Sequence, residues 1–177
     1  MTTTLYENMS EDIIASTQEI FATMIPMEIK FEDTYYQKEE MISTDVMSMV
    51  SFTGEHSGIV AVFCSTEIAL KITSSMLGME ITEFDQDTKD AIGEVTNMIA
   101  GSLKNKVVDK FGEMHLSVPI VVAGAGLTIS STSGDGEAHN MKINSSITCN
   151  SQNAWMMTPF SSNGQKFNVG LIVKKND

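Results

Sequence analysis

Residues 90–101, DAIGEVTNMIAG, form the centre of a long helix expected over 87–111. With Asp90 at zero and about 100° per residue, Glu94 falls at about 40°, Asn97 at about −20° and Gly101 at about 20°, whereas Ile92, Val95, Ile99 and Leu103 gather between about 140° and 220°. One face is apolar and anchors the helix. The other carries two carboxylates, an amide and a gap. Glycine inside a helix costs roughly 1 kcal/mol relative to alanine, so a bare position beside Glu94 and Asn97 marks a face that something approaches closely. Gly93 breaks helix propensity in the same stretch.

The helix lies in a chain of 177 residues with 42% hydrophobic and 19% charged side chains, which suits a single soluble globular domain spanning 1–177 with a sizeable core. Eleven basic residues against twenty-three acidic ones give a net charge of −12. Phosphate backbones and anionic membranes require clustered Lys and Arg, so nucleic acid and membrane are excluded as expected partners, and a partner with a basic rim fits better. The first residues, MTTTLYENMSED, lack the positive start and apolar run of a signal peptide, and no stretch approaches membrane-spanning length, so a cytoplasmic location is expected. Cys64 and Cys149 each lie in an apolar, strand-like run and read as reduced core thiols, with one disulfide as the alternative. The fourteen methionines read as adaptable core filler, with a Met-rich groove as the alternative.

Upstream, Met9, Ile13, Ile20 and Met24 recur at helical spacing over 5–25 until Pro26 stops the pattern. A short strand is expected over 27–31, a polar connection over 32–40, and a hairpin from 42–52 and 59–64 around a turn at 53–58. Ser65 caps the next helix, whose stripe of Ile68, Ile72, Met76 and Leu77 ends at Gly78. The acidic segment 80–87 then opposes the positive end of the long helix. Beyond Phe111, strands are expected over 116–122, 127–130, 141–149, 154–160 and 167–174, with Pro119 at an edge or strand start and a flexible loop over 131–140. This order predicts an α+β fold, with a largely antiparallel sheet and long helices packed on one side. Asp12, Ser16 and Glu19 align with Asp90, Glu94 and Asn97, which predicts two pseudo-repeated halves and only one intact copy of the polar pair.

Several chemistries lack their equipment. His56, His115 and His139 are dispersed, and metal-binding spacings, the dinucleotide fingerprint, the P-loop and the serine nucleophile elbow are all missing. What stands out is Glu94-x-x-Asn97. The spacing recurs at Glu137 and Asn140 in a loop-like segment, so alone it reads as an ordinary solvated face; its apolar anchor, two glycines and Asp90 one turn earlier set the first example apart. An amide can hold a water in a defined direction but cannot act as a base near neutral pH. A carboxylate one turn away can grip a partner's lysine. Such sparse equipment suffices for hydrolysing an activated, metal-bound phosphoryl group, where positioning and electrostatics supply most of the catalysis.

Asp90, Glu94, Asn97 and the downstream Pro119, together with FTGEHSGIVAVFCS and the closing SITC, MMTPF and FNVGLIV segments, resemble the CheC, CheX and FliY family of chemotaxis phosphatases. The likeness runs over nearly the whole chain. It implies a protein phosphatase that dephosphorylates the phospho-aspartate of a CheY-like response regulator, with no cofactor of its own and Mg²⁺ on the regulator. Carried over, Asn97 positions the attacking water and Glu94 pairs with the regulator's lysine. A homodimer through sheet edges is also implied. A non-enzymatic regulator-binding or flagellar-switch adaptor is the rival reading, and a stand-alone enzyme using Glu94 as general base a more distant one.

Overall fold

The computed structural model describes residues 2–37, 42–132, 148–150 and 155–176. The first helix, α1 (Thr2–Thr23), ends three residues before Pro26 and buries Met9, Ile13, Ile20 and Phe21. Because the helix stops at Thr23, the 3.6-residue period lapses there: Met24 turns outward and Ile25 takes the buried place instead. The strand expected over 27–31 shrinks to β1 (Lys30–Phe31), and the connection read as merely polar holds a short strand, β2 (Tyr35–Gln37), paired with a later one.

The hairpin is longer than its residue types suggest. β3 (Ile42–Gly54) and β4 (His56–Cys64) are separated by Glu55 alone. Gly54 and Gly58 mark close approach within the sheet: a Cβ on Gly54 would fall 2.2 Å from the carbonyl oxygen of Glu113, and one on Gly58 would fall 2.0 Å from that of Ile172. Next comes α2 (Thr66–Leu77), where the Ser65 hydroxyl accepts from the Ile68 amide at 3.3 Å and Gly78 closes the helix at φ 66°. Ile68 and Ile72 are buried, but Leu77 lies about 180° around the helix from Ile68 and is exposed.

The long helix α3 (Gln86–Phe111) is capped by Asp85, which accepts from the Thr88 amide. Its apolar stripe packs as expected, with Ile92, Val95, Ile99 and Leu103 all buried, and continues through Val107 and Phe111. The rest is strand: β5 (Met114–Leu116), β6 (Ile120–Thr132), β7 (Thr148–Asn150), β8 (Trp155–Ser162) and β9 (Gln165–Lys175). Pro119 immediately precedes β6, as its missing N–H favours. Gly124 and Gly126 do not divide two strands; they lie inside β6, where the register with β3 shifts between Thr44 and Val46. The rest of the expected 131–140 loop beyond Thr132, the first part of the 141–149 strand, Glu137, His139, Asn140 and the side chain of Cys149 lie outside the described residues.

The pairing makes the internal repeat visible. β4 and β9 form the centre of the sheet, β3 and β8 flank them, and β6 and β2 lie outside these in turn. Each half therefore consists of a helix, an outer strand and a hairpin (α1, β2, β3, β4 and α3, β6, β8, β9), and each outer strand pairs with the other half's hairpin. Only the β6 and β7 pair is parallel among the described residues. The helices and one sheet face enclose the main core, which includes Val50, Val62, Ile99, Phe160 and Val169. A second buried cluster, with Met47, Phe63, Trp155 and Met157, occupies the opposite face. The core-filling role expected of methionine holds for Met9, Met47, Met114, Met156 and Met157. Cys64 is a free thiol that burial, and secondarily the Asp45 charge, push up to about 12, so it stays protonated at neutral pH.

Candidate functional site on the outer face of α3

The two faces of α3 differ as the helical period requires. Opposite the buried Ile92, Val95, Ile99 and Leu103, Glu94 is exposed and Asn97 half-buried, one turn apart, with β-carbons about 5–6 Å from each other. Neither side chain forms a hydrogen bond or ion pair among the described residues. Asp90, one turn earlier, is engaged differently: the Gln86 amide donates to its Oδ1 at 2.7 Å. Glu94 and Asn97 are thus polar groups free to meet something outside the chain, on a helix whose other side is fixed in the core.

Pro119 reaches the same region through packing. A Cβ on Gly93 would lie 3.6 Å from the Pro119 ring and 3.4 Å from Val121, ordinary contact distances, so the segment before β6 leans against α3 beside Glu94. Pro119 has no polar group to offer; it fixes the position of its neighbours. Val118 and Ile120 on either side of it are 78% and 55% exposed, an apolar rim that residue periodicity did not reveal. Their signal was the proline itself, which interrupts alternation and leaves both neighbours outside the regular inward-facing pattern.

The corresponding face in the first half has been closed. Ser16, aligned with Glu94, is fully buried, and its hydroxyl lacks a hydrogen-bond partner among the described residues. Glu19, aligned with Asn97, is held by Lys106 at 2.5 Å and by the Ser102 hydroxyl at 2.9 Å, while Lys110 pairs with Asp12 at 3.4 Å. The hydrogen bond from Lys106, then that from Ser102, then the Lys106 charge lower the Glu19 pKa. These contacts come from residues 102–111 of α3, beyond the position where α1 ends at Thr23, aligned with Gly101. The longer helix covers the shorter one's polar face; α1 has no matching extension to cover Glu94 and Asn97. The i, i+4, i+8 spacing of Ser102, Lys106 and Lys110 carried this signal in the sequence.

Glu94, exposed, and Asn97, half-buried, lie on an outward helix face. Two clefts bounded by described residues, of about 620 and 390 Å³, are lined by groups such as Glu67, Lys71 and Glu80 in the first and Asp45, Phe84 and Lys89 in the second; neither includes Glu94 or Asn97. Among the described residues there is no group of three or more His, Cys, Asp or Glu side chains able to hold a metal ion, and no helix long and apolar enough to cross a membrane. His56 is buried edge-on against Phe111 with Nδ1 3.4 Å from its carbonyl oxygen, a packing role. A rigid helix face bearing an unpaired carboxylate and amide can enter a cleft belonging to another protein.

A family model described as Chemotaxis phosphatase CheX matches residues 46–159, which include α3, Pro119 and the central strands. The chain belongs to the CheX family of chemotaxis phosphatases. It is similar to the CheY-P phosphatase CheX of Thermotoga maritima, at 31% identity over 120 residues that cover 67% of this chain and 77% of the relative. The CheX crystal structure from Desulfovibrio desulfuricans superposes with a TM-score of 0.76 at 26% identity, over 94% of this chain and 99% of the other. A CheX-CheY-BeF3-Mg²⁺ complex from Borrelia burgdorferi includes a chain with a TM-score of 0.69 at 22% identity, over 93% and 96% of the two chains, a likeness that shows the fold alone. CheX-family membership accounts for the α+β architecture and leaves the roles of individual residues to be argued from this chain.

The absence of internal partners separates the site from the core in a measurable way. Asn97→Ala and Glu94→Ala should each change unfolding free energy by no more than about 0.5 kcal/mol, because neither side chain makes a hydrogen bond or ion pair among the described residues. Ile99→Ala should cost about 2–5 kcal/mol. Urea denaturation of the three variants checks this contrast, and a loss at Asn97 comparable to that at Ile99 would show that the amide serves the fold.

Proposed function

We propose that this protein hydrolyses the phospho-aspartate of a CheY-like response regulator by inserting the Glu94 and Asn97 face of α3 into the regulator's active site. The observation that carries the reading is the unengaged pair itself: a carboxylate and an amide, one turn apart, on the outward face of a helix anchored along its whole opposite side. The activity of the Thermotoga relative toward CheY-P supports the same reading.

Each residue has a part its chemistry allows. The Asn97 amide accepts from and donates to surrounding groups, orienting a water in line with the bond between phosphorus and the aspartyl oxygen. The water oxygen bonds to phosphorus as that bond breaks, the aspartate leaves as a carboxylate, and the water's proton passes to phosphate or solvent. Glu94 pairs with the regulator's active-site lysine and so fixes the register of docking. Mg²⁺ belongs to the regulator, where it neutralises phosphoryl charge; this protein supplies no cofactor of its own. The net charge of −12 suits a partner presenting lysine and a cytoplasmic encounter between soluble proteins. The adaptor reading needs binding only, and binding alone gives no role to a water-orienting amide at this spacing.

Asn97→Ala should lower the accelerated dephosphorylation rate about 10²–10³-fold while retaining most of the affinity, the usual consequence of losing one positioned hydrogen-bonding group. Glu94→Ala should weaken both, by more than about tenfold in affinity, because a partner charge is left unpaired. Phospho-aspartate lifetimes and direct binding, measured for both variants, check the division of labour; equal loss of affinity in Asn97→Ala would remove its assigned part.

The protein also forms a homodimer through its sheet edges in this reading. At the edge formed by β1 and β2, Phe31, Tyr35 and Tyr36 are exposed, an apolar and aromatic surface of the kind edge pairing covers. Sedimentation equilibrium should return twice the mass of 19.3 kDa. A single monomeric species at tens of micromolar would contradict it.

A further inference from the structure

Gly101 is the strongest unexplained position on the molecule. It lies inside α3, ten residues from its end, where glycine is the poorest helix former after proline. Gly93, the other glycine of the helix, is buried against Pro119 and Val121, where a Cβ would sit at ordinary contact distances, so it faces the chain itself rather than open space. Gly101 has no such neighbour among the described residues: a Cβ built there would meet none of their atoms within 4 Å, and the backbone is in ordinary helical conformation. Neither crowding by the described residues nor a positive φ accounts for a bare backbone at this place.

Its surroundings point outward. Gly101 is one turn beyond Asn97 on the same face, and the stripe continues through Lys104, Asn105 and the 39%-exposed Val108. The stripe from Asp90 to Val108 is about 27 Å long by helical rise, with Gly101 past its middle. Its charge reverses along the way, from Asp87, Asp90 and Glu94 at the start to Lys104 beyond the gap. A partner can therefore match it in one direction only.

We propose that Gly101 is a docking and specificity position: the response regulator's main chain crosses α3 at this bare turn, within van der Waals contact of the helix backbone. Contact there adds to the affinity of the docked complex and leaves the placement of Asn97 to the polar pair itself. This rests on the phosphatase reading for the partner's identity, and it extends the interface beyond the two polar residues to the helix turn that follows them. The missing side chain is a means of access: any Cβ and γ-atoms at 101 would stand between the two backbones. The same substitution is harmless to the isolated fold, since the space is open.

The test uses the full chain and its regulator, activated with beryllofluoride and Mg²⁺ for binding and phosphorylated for turnover. Gly101→Ala should raise the thermal midpoint by about 2–4 °C, as a gain in helix propensity in a domain of this size does, and raise KM several-fold with kcat nearly unchanged. Gly101→Leu should fold with a midpoint at or above the wild type and lose at least tenfold in affinity. Wild-type affinity and KM in Gly101→Leu would overturn the proposal while leaving the phosphatase reading intact. Disruption of a homodimer by Gly101→Leu with regulator binding preserved would also overturn it, by assigning the bare turn to a second copy. If the wild type binds the regulator without accelerating hydrolysis, the phosphatase reading fails, and the affinities of the two variants still decide the role of Gly101. If the wild type does not bind, both fall.

Discussion

The apolar stripe of α3 packed on the sheet is the contact on which the remaining features depend. Ile92, Val95, Ile99 and Leu103 are removed from water together, each contributing about 1.5–3 kcal/mol relative to exposure, and they leave the helix no freedom to roll. Fixing one face of a helix fixes the other. Glu94, Asn97 and Gly101 are therefore presented at set angles and spacing before any partner arrives. Pre-organisation of this kind matters for a reaction in which the protein's own groups do little covalent chemistry and act chiefly by orientation.

A second constraint explains why one face is available and its counterpart is not. The sheet has near-twofold internal pairing, with each half lending an outer strand to the other half's hairpin. The helices break that symmetry. α3 runs on to Phe111 and uses Ser102, Lys106 and Lys110 to engage Glu19 and Asp12 on α1, whereas α1 stops at Thr23. Ser16, between Asp12 and Glu19, is fully buried, a place where an ionised glutamate would be costly. The difference in helix length goes with the engagement of the first half's polar face and the open face of the second.

Much of this was legible in the residue pattern, and the exceptions have physical causes. The α3 period, the Ser65 cap, the Gly78 terminus and the position of Pro119 at a strand start depend on local rules, and each appears in the structure as expected. Glycine marks a turn, a close backbone approach and a left-handed residue with the same letter: Gly54, Gly58, Gly124 and Gly126 all fall within strand spans, the first two against neighbouring backbone and Gly126 at φ 64°. β2 was invisible because its pairing with β8 spans more than a hundred residues and owes nothing to local alternation. Leu77 was misplaced by counting an adjacent residue into a stripe whose angle it does not share. For the site, residue types and spacing singled out Glu94 and Asn97, while the apolar rim at Val118 and Ile120 and the stitching of Glu19 by α3 needed three dimensions.

CheX-family membership, an outward-facing polar pair and the absence of that pair from the clefts described above fit a protein that works inside a partner's active site. An enzyme and a binding adaptor differ most plainly in turnover. The most direct measurement is phosphate release from a CheY-like regulator in large excess over this protein, with a small-molecule phosphodonor replenishing the phospho-aspartate. Many phosphates released per molecule, at a rate that saturates with regulator concentration and collapses in Asn97→Ala, is the predicted result. Release at the regulator's own spontaneous rate, despite measured binding, would contradict the account and leave an adaptor in its place.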